Sequence, residues 1–156
     1  MKLAVITLVP TINKYDNVVS MFNPGIQTVL QRTNIRPHVF SLFSLIPTLV
    51  NGKPTPEQLK VAATTAAYLL ATYDGVIACG VDTKNAMRKA GEIYSHGDWT
   101  WIPNPDKLNP DTNREKFYEE CAETIRSFSF RISAGYEQTK REEYTSLAKL
   151  FQFRRA

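Results

Sequence analysis

Apolar and polar positions divide this chain into short, unbroken apolar runs, several followed by a stretch of helical period. Residues 3–9 (LAVITLV) lack the alternation of a half-exposed strand and so predict a strand covered on both faces. The run 75–80 behaves in the same way: Val76, Ile77, Ala78 and Cys79 lead into Gly80, and a helical pattern follows over 82–90. That is the pattern of a buried parallel strand feeding the helix behind it, and it places Val76 at the centre of a sheet. Two further strands are predicted at 37–43 and 98–102. The second breaks into Pro103, Asn104 and Pro105, and because proline cannot donate to a sheet ladder, the chain must leave the sheet there as a rigid loop.

Helices are expected between these strands. Pro24 and Gly25 open one that ends near Thr33 and Asn34, with Ile26, Val29 and Leu30 on one face. Thr55, Pro56 and Gln58 mark a second start, with threonine as cap, proline in the first turn and glutamine placed to reach back; this helix should run to about Ala71. Thr112 to Glu115 has capping-box spacing, and Phe117, Cys121, Ile125 and Phe128 recur at helical spacing, more as core than as a cofactor box. A last helix is expected over 136–153, with Leu147, Leu150 and Phe151 on one side. The polar stretch 11–23 is long for a strand-to-helix connection, and long loops in compact domains tend to be functional. The order βαβαβαβαα predicts an α/β fold, a three-layer sandwich around a four-stranded, mainly parallel central sheet. Ligands of such sheets bind at the carboxyl ends of the strands.

Composition narrows the picture. At 156 residues and 43% hydrophobic, one domain over 1–156 is sufficient, with 131–156 as a basic helical appendage. Of the net charge of +4, most lies in that appendage, where Arg131, Lys140, Arg141, Lys149, Arg154 and Arg155 face only Glu137, Glu142 and Glu143. Such an excess is compatible with nucleic-acid binding and common in proteins that bind none. Cys79 and Cys121 have no CxxC spacing or neighbouring histidine, so buried free thiols are expected and no metal. The opening MKLAVITLV is too short and lacks a small-residue cleavage site for a signal peptide, and no run approaches the roughly 20 apolar residues of a membrane span. A cytoplasmic protein without membrane contact is expected. No Walker loop, GxGxxG or HExxH is present, and no cofactor is implied.

Against this background the spacing of the loops resembles the uracil-DNA glycosylase superfamily, up to about Phe128. Central VIACG matches a strand and glycine of that family; Phe22, Asn23, Pro24 and Gly25 are similar to its base-stacking segment; and Ile102, Pro103, Asn104, Pro105 stands where the family has an HPSP-type loop. The histidine position is thus Ile102 and the serine position Asn104. After the first strand come Val9, Pro10 and Thr11, with Asn13 and Asp16 nearby, where the family carries a water-activating Asp or Asn. The resemblance implies a glycosylase-like fold that recognises a nucleobase, with Asp16, Asn13 and Asn104 as catalytic candidates. It also implies base or nucleotide contacts from Pro10, Phe22, Asn23, Ser41, Ser44, Gly80, Pro103 and Asn104.

Each residue has a plainer role beside the functional one. Phe22 can stack on a base or staple the helix that Pro24 opens, with Asn23 as its cap. Ser41 and Ser44 can approach a base edge or satisfy local backbone. Lys84, Arg88 and Lys89 follow Gly80, where a helix start can bind phosphate, but a solvated helix face accounts for them as well. DNA contacts are assigned to Lys107, Leu108, Lys140 and Arg141, with the last helix alternatively joining two subunits. His38 and His96 fall at the wrong ends of their strands for this site. Hydrolysis of an N-glycosidic bond is expected to be weak or absent, since Ile102 has no donor for a departing base. The rival functions are a non-catalytic nucleotide- or protein-binding module and a nucleoside deoxyribosyltransferase-like enzyme, which needs a carboxylate to attack the sugar.

Overall fold

The computed structural model describes residues 1–7, 11–12, 18–20, 24–42, 55–105 and 108–155. In chain order the elements are β1 (Leu3–Thr7), β2 (Thr11–Ile12), β3 (Val18–Ser20), α1 (Pro24–Thr33), β4 (His38–Ser41), α2 (Pro56–Thr72), β5 (Gly75–Cys79), α3 (Val81–Ile93), β6 (Trp99–Ile102) and α4 (Arg114–Arg155). Four strands form one sheet in the order β4-β1-β5-β6, and every neighbouring pair is parallel. The protein is α/β, with helices on both faces of this sheet.

The absence of alternation in β1 and β5 now has its cause. Ala4, Ile6, Val76 and Ala78 face one side, where they pack with Ala62, Ala66 and Leu70 of α2 and Ala86, Met87 and Ala90 of α3. Leu3, Val5, Ile77 and Cys79 face the other, against Ile26 and Val29 of α1 and Cys121, Ile125 and Phe128 of α4. All ten residues of the two strands are buried, as parallel strands sandwiched between helices must be.

The local signals in the sequence act as their chemistry requires. Thr55 Oγ1 accepts from the Gln58 N–H at 3.2 Å, and Gln58 Oε1 accepts from the Thr55 N–H at 2.9 Å, which closes the capping box of α2. Asn34, at φ 57, ends α1 in the left-handed conformation that asparagine tolerates.

Three expectations need correction. The segment 11–23 is not loop throughout: β2 and β3 pair antiparallel, Thr11 opposite Ser20 and Ile12 opposite Val18. Their β-branched residues on either side of the polar sequence 13–17 were the available signal. The cap of the C-terminal helix is Asn113 rather than Thr112, since Asn113 Oδ1 accepts from the Lys116 N–H at 3.2 Å and the helix starts at Arg114. Finally, the two C-terminal helices are one helix of 42 residues. No proline interrupts 129–135, and Gly135 sits within it; one glycine costs a helix interior only about 1 kcal/mol.

Candidate functional site

The strand order fixes the switch point of the sheet. From β1 the chain passes through α1 to β4 on one side of β1, and from β5 it passes through α3 to β6 on the other side. The connections therefore diverge between β1 and β5, and the carboxyl edge beyond Thr7 and Cys79 is the switch point at which open α/β sheets bind ligands.

Gly80 lies at that point with φ 93 and ψ 163, a conformation almost restricted to glycine. Its N–H donates to the Ile102 carbonyl at 2.9 Å and its carbonyl accepts from the Lys84 N–H at 3.0 Å, so the turn is locked to β6 on one side and to α3 on the other. As the cap residue of α3, Gly80 supplies no side-chain cap bond. A Cβ built on Gly80 would stand 3.5 Å from the Asn104 Cβ, so Gly80 and Asn104 come together as neighbours on this edge.

The loop that carries Asn104 is held from below. A Cβ on Gly25 would fall 2.6 Å from the Pro105 carbonyl oxygen, so only glycine lets the first turn of α1 meet this loop. Beside the contact, Pro24, Gly25, Thr28, Pro105, Leu108, Arg114 and Tyr118 line a shallow pocket of about 250 Å³. Leu108 thus belongs to the packing around the base of the loop, and Pro103 is exposed on it. Arg32 pairs with Glu115, and Arg126 pairs with Glu119 at 2.6 Å while donating to the Arg32 carbonyl at 3.0 Å, which ties the end of α1 to α4. The hydrogen bond from Arg126 holds the Glu119 carboxyl below the usual carboxylate range.

Ser41 ends β4, opposite Thr7 of β1, on the carboxyl edge but two strands from Gly80, roughly 10 Å at ordinary strand spacing. Ile102 is buried against Cys79 and the α1 and α4 side chains, at 1% exposure. Arg141 is exposed on the distal part of α4; Lys140 lies on the same helix, and its side chain is outside the described residues. Pro10, Asn13, Asp16, Phe22, Asn23, Ser44 and Lys107 also lie outside the described residues.

His38 stands at the opposite edge, with Nδ1 2.6 Å from the Tyr73 hydroxyl, and His96 is exposed beside Tyr94. Cys79 and Cys121 are buried in the same core, and burial pushes the Cys121 thiol up to about 11, as for a thiol that packs in the core. Among the described residues, no three His, Cys, Asp or Glu side chains gather to hold a metal ion, and no helix is long and apolar enough to cross a membrane.

One site residue escaped the sequence. Thr83, in the first turn of α3, is fully buried, and among the described residues its hydroxyl has no hydrogen-bond partner. A threonine in a helical stretch gives no sign of this, because its burial depends on how α3 lies on the sheet. No protein-family model matches the chain, and no curated protein matches it.

Proposed function

We propose that the protein recognises a nucleobase, in DNA or as part of a nucleotide, at the carboxyl edge of a sheet of the uracil-DNA glycosylase type, and that it cleaves N-glycosidic bonds weakly or not at all. What supports this is the switch point between β1 and β5 at the carboxyl edge of the sheet, with Gly80 after β5 and Asn104 after β6 as neighbours on that edge. Asn104 offers an amide of the kind that reads base edges, and Phe22 and Asn23 are assigned to the stacking face and the second polar contact.

The reluctance to cleave follows from Ile102. Where the resembled family has a histidine that supports the departing base, this chain has a side chain that is apolar and is turned into the core. A missing preorganised donor costs on the order of 100-fold to 1000-fold in rate. The deoxyribosyltransferase-like alternative needs a carboxylate placed to attack the sugar, and the absence of a convincing acid pair in the sequence disfavours it.

A uracil-containing single-stranded oligonucleotide, followed by fluorescence anisotropy and then by alkaline cleavage of abasic sites, tests the proposal. The expected result is retention without strand cleavage, with weaker retention after Phe22→Ala and after Asn23→Ala. Rapid excision of uracil that Asp16→Asn abolishes would overturn the non-catalytic part; unchanged retention in both binding variants would move the site elsewhere.

The exposed distal part of α4 supports an auxiliary role in holding nucleic acid. Beyond Ile132, every residue of α4 with a described exposure is at least partly open to solvent, and basic residues outnumber acidic ones there. Retention of DNA should therefore fall steeply with salt and weaken when 137–156 is deleted.

A further inference from the structure

We infer that the opening of α3 is a phosphate subsite, in which the main-chain N–H groups of Val81, Asp82 and Thr83 and the Thr83 hydroxyl hold the oxygens of one phosphate group. This rests on the proposed nucleotide recognition and specifies which part of the ligand is held, and where.

Two independent observations converge on the place. The first is the start of α3, a helix of 13 residues whose first intrahelical hydrogen bond runs from Lys84 to Gly80. The N–H groups of Val81, Asp82 and Thr83 precede that bond, the cap residue Gly80 has no side chain to satisfy them, and the helix dipole makes such an opening attractive to anions. Gly80 leaves the approach free of a side chain.

The second is Thr83. Three polar side chains are buried among the described residues: Thr7, Thr33 and Thr83. Thr33 donates to the Leu30 carbonyl at 2.7 Å and accepts from the Ile35 N–H at 3.1 Å, and Thr7 reaches the Phe40 carbonyl at 3.4 Å. Thr83 alone has no partner. A buried hydroxyl without a partner is destabilising, so buried polar groups are nearly always satisfied. Every Cα–Cβ bond in a helix leans toward the N-terminus, and a first-turn threonine therefore directs its side chain toward the opening, where a phosphate oxygen can accept its proton. The hydroxyl is fully buried, away from water, where hydrogen bonds are strongest. The Lys84 ammonium, held 4.0 Å from the Trp101 ring centre, adds positive charge to the same turn; Asp82, in the first turn, opposes it.

The phosphate can belong to a free nucleotide or to a DNA strand. The test follows backbone amide shifts of the full-length protein by NMR as inorganic phosphate, a uridine monophosphate, uridine, and a short uracil-containing oligonucleotide without terminal phosphates are added in turn. Inorganic phosphate alone should shift the amides of residues 81–83 in a saturable way. Thr83→Val, which keeps the shape and removes the hydroxyl, should weaken that binding by about tenfold or more, and Thr83→Ser should restore much of it. Stronger binding of the monophosphate assigns the site to a free nucleotide; the same shifts with the oligonucleotide assign it to the DNA backbone. Absence of saturable shifts at 81–83 with every phosphate-bearing probe overturns the inference, as does a folded Thr83→Val protein that binds phosphate as the parent does. Uridine separates the two proposals: uridine binding without a phosphate response leaves base recognition standing and removes the subsite, and a phosphate response without uridine binding does the reverse.

Discussion

At the amino ends of the strands the polar groups are closed among themselves: the Lys2 N–H donates to Asp74 Oδ2 at 2.6 Å, the Asp74 N–H donates back to the Lys2 carbonyl at 2.9 Å, and His38 Nδ1 lies 2.6 Å from the Tyr73 hydroxyl. At the carboxyl ends, among the described residues, the cap residue of α3 makes no side-chain cap bond and the buried Thr83 hydroxyl has no partner. Both ends are built by the same four strands, so the difference is not a matter of architecture. An end whose donors are satisfied internally contributes to stability and has little left to offer a ligand. An end that leaves donors open carries a stability cost that binding can offset.

The largest effect that can break this contrast comes from Gly80. Alanine there has to adopt a backbone conformation that side chains seldom enter, at a cost of about 1–3 kcal/mol, even though the space beside Asn104 is ordinary contact distance. Gly80→Ala is expected to lower stability by that amount in chemical denaturation. A neutral result means that the turn is free to relax, and the opening of α3 is then not held as described.

Next in size is a pair of substitutions expected to have opposite signs. Thr83→Val removes an unsatisfied hydroxyl and should raise stability by about 1 kcal/mol in the absence of ligand. Tyr73→Phe removes a satisfied one at the other end and should lower stability by up to about 1 kcal/mol. Thermal melts of the two variants beside the parent measure both. A destabilised Thr83→Val means that the hydroxyl finds a partner within the protein, and the contrast between the two ends disappears.

How much of this was legible beforehand depends on the range of the interactions involved. The capping box of α2, the exit of β6 at Pro103 and the buried strand at Val76 are set by residues within a few positions of one another, and the sequence carries them directly. Gly80 and Asn104 were recognisable as edge residues because strand ends are marked by glycine and proline, but their adjacency follows from the pairing of β5 with β6. Ile102 shows the same dependence. Its identity departs from the resembled loop, yet its burial against α1 and α4 needs both helices in place. Thr83 was out of reach for that reason too, since an unsatisfied hydroxyl is a property of everything around it. The continuity of α4 was missed in the opposite way: Ser129, Ser133 and Gly135 suggest a break, but none forbids a helix.

The smallest effect expected concerns Asp82. A carboxylate in the first turn of α3 interacts favourably with the helix dipole, so in the free protein it stabilises the same opening that a phosphate would occupy. Replacing it with asparagine keeps the size of the side chain and removes the charge. Stability should fall slightly, and phosphate should bind about two- to fivefold more tightly at low salt, because one like charge no longer faces the anion. The two changes have opposite signs, which a general loosening of α3 cannot produce, since loosening weakens folding and binding together. Titration of Asp82→Asn with inorganic phosphate at two salt concentrations, together with its melting curve, measures both. Weaker phosphate binding in this variant places the anion away from α3, and the carboxyl end of the sheet then keeps its open donors for some other ligand.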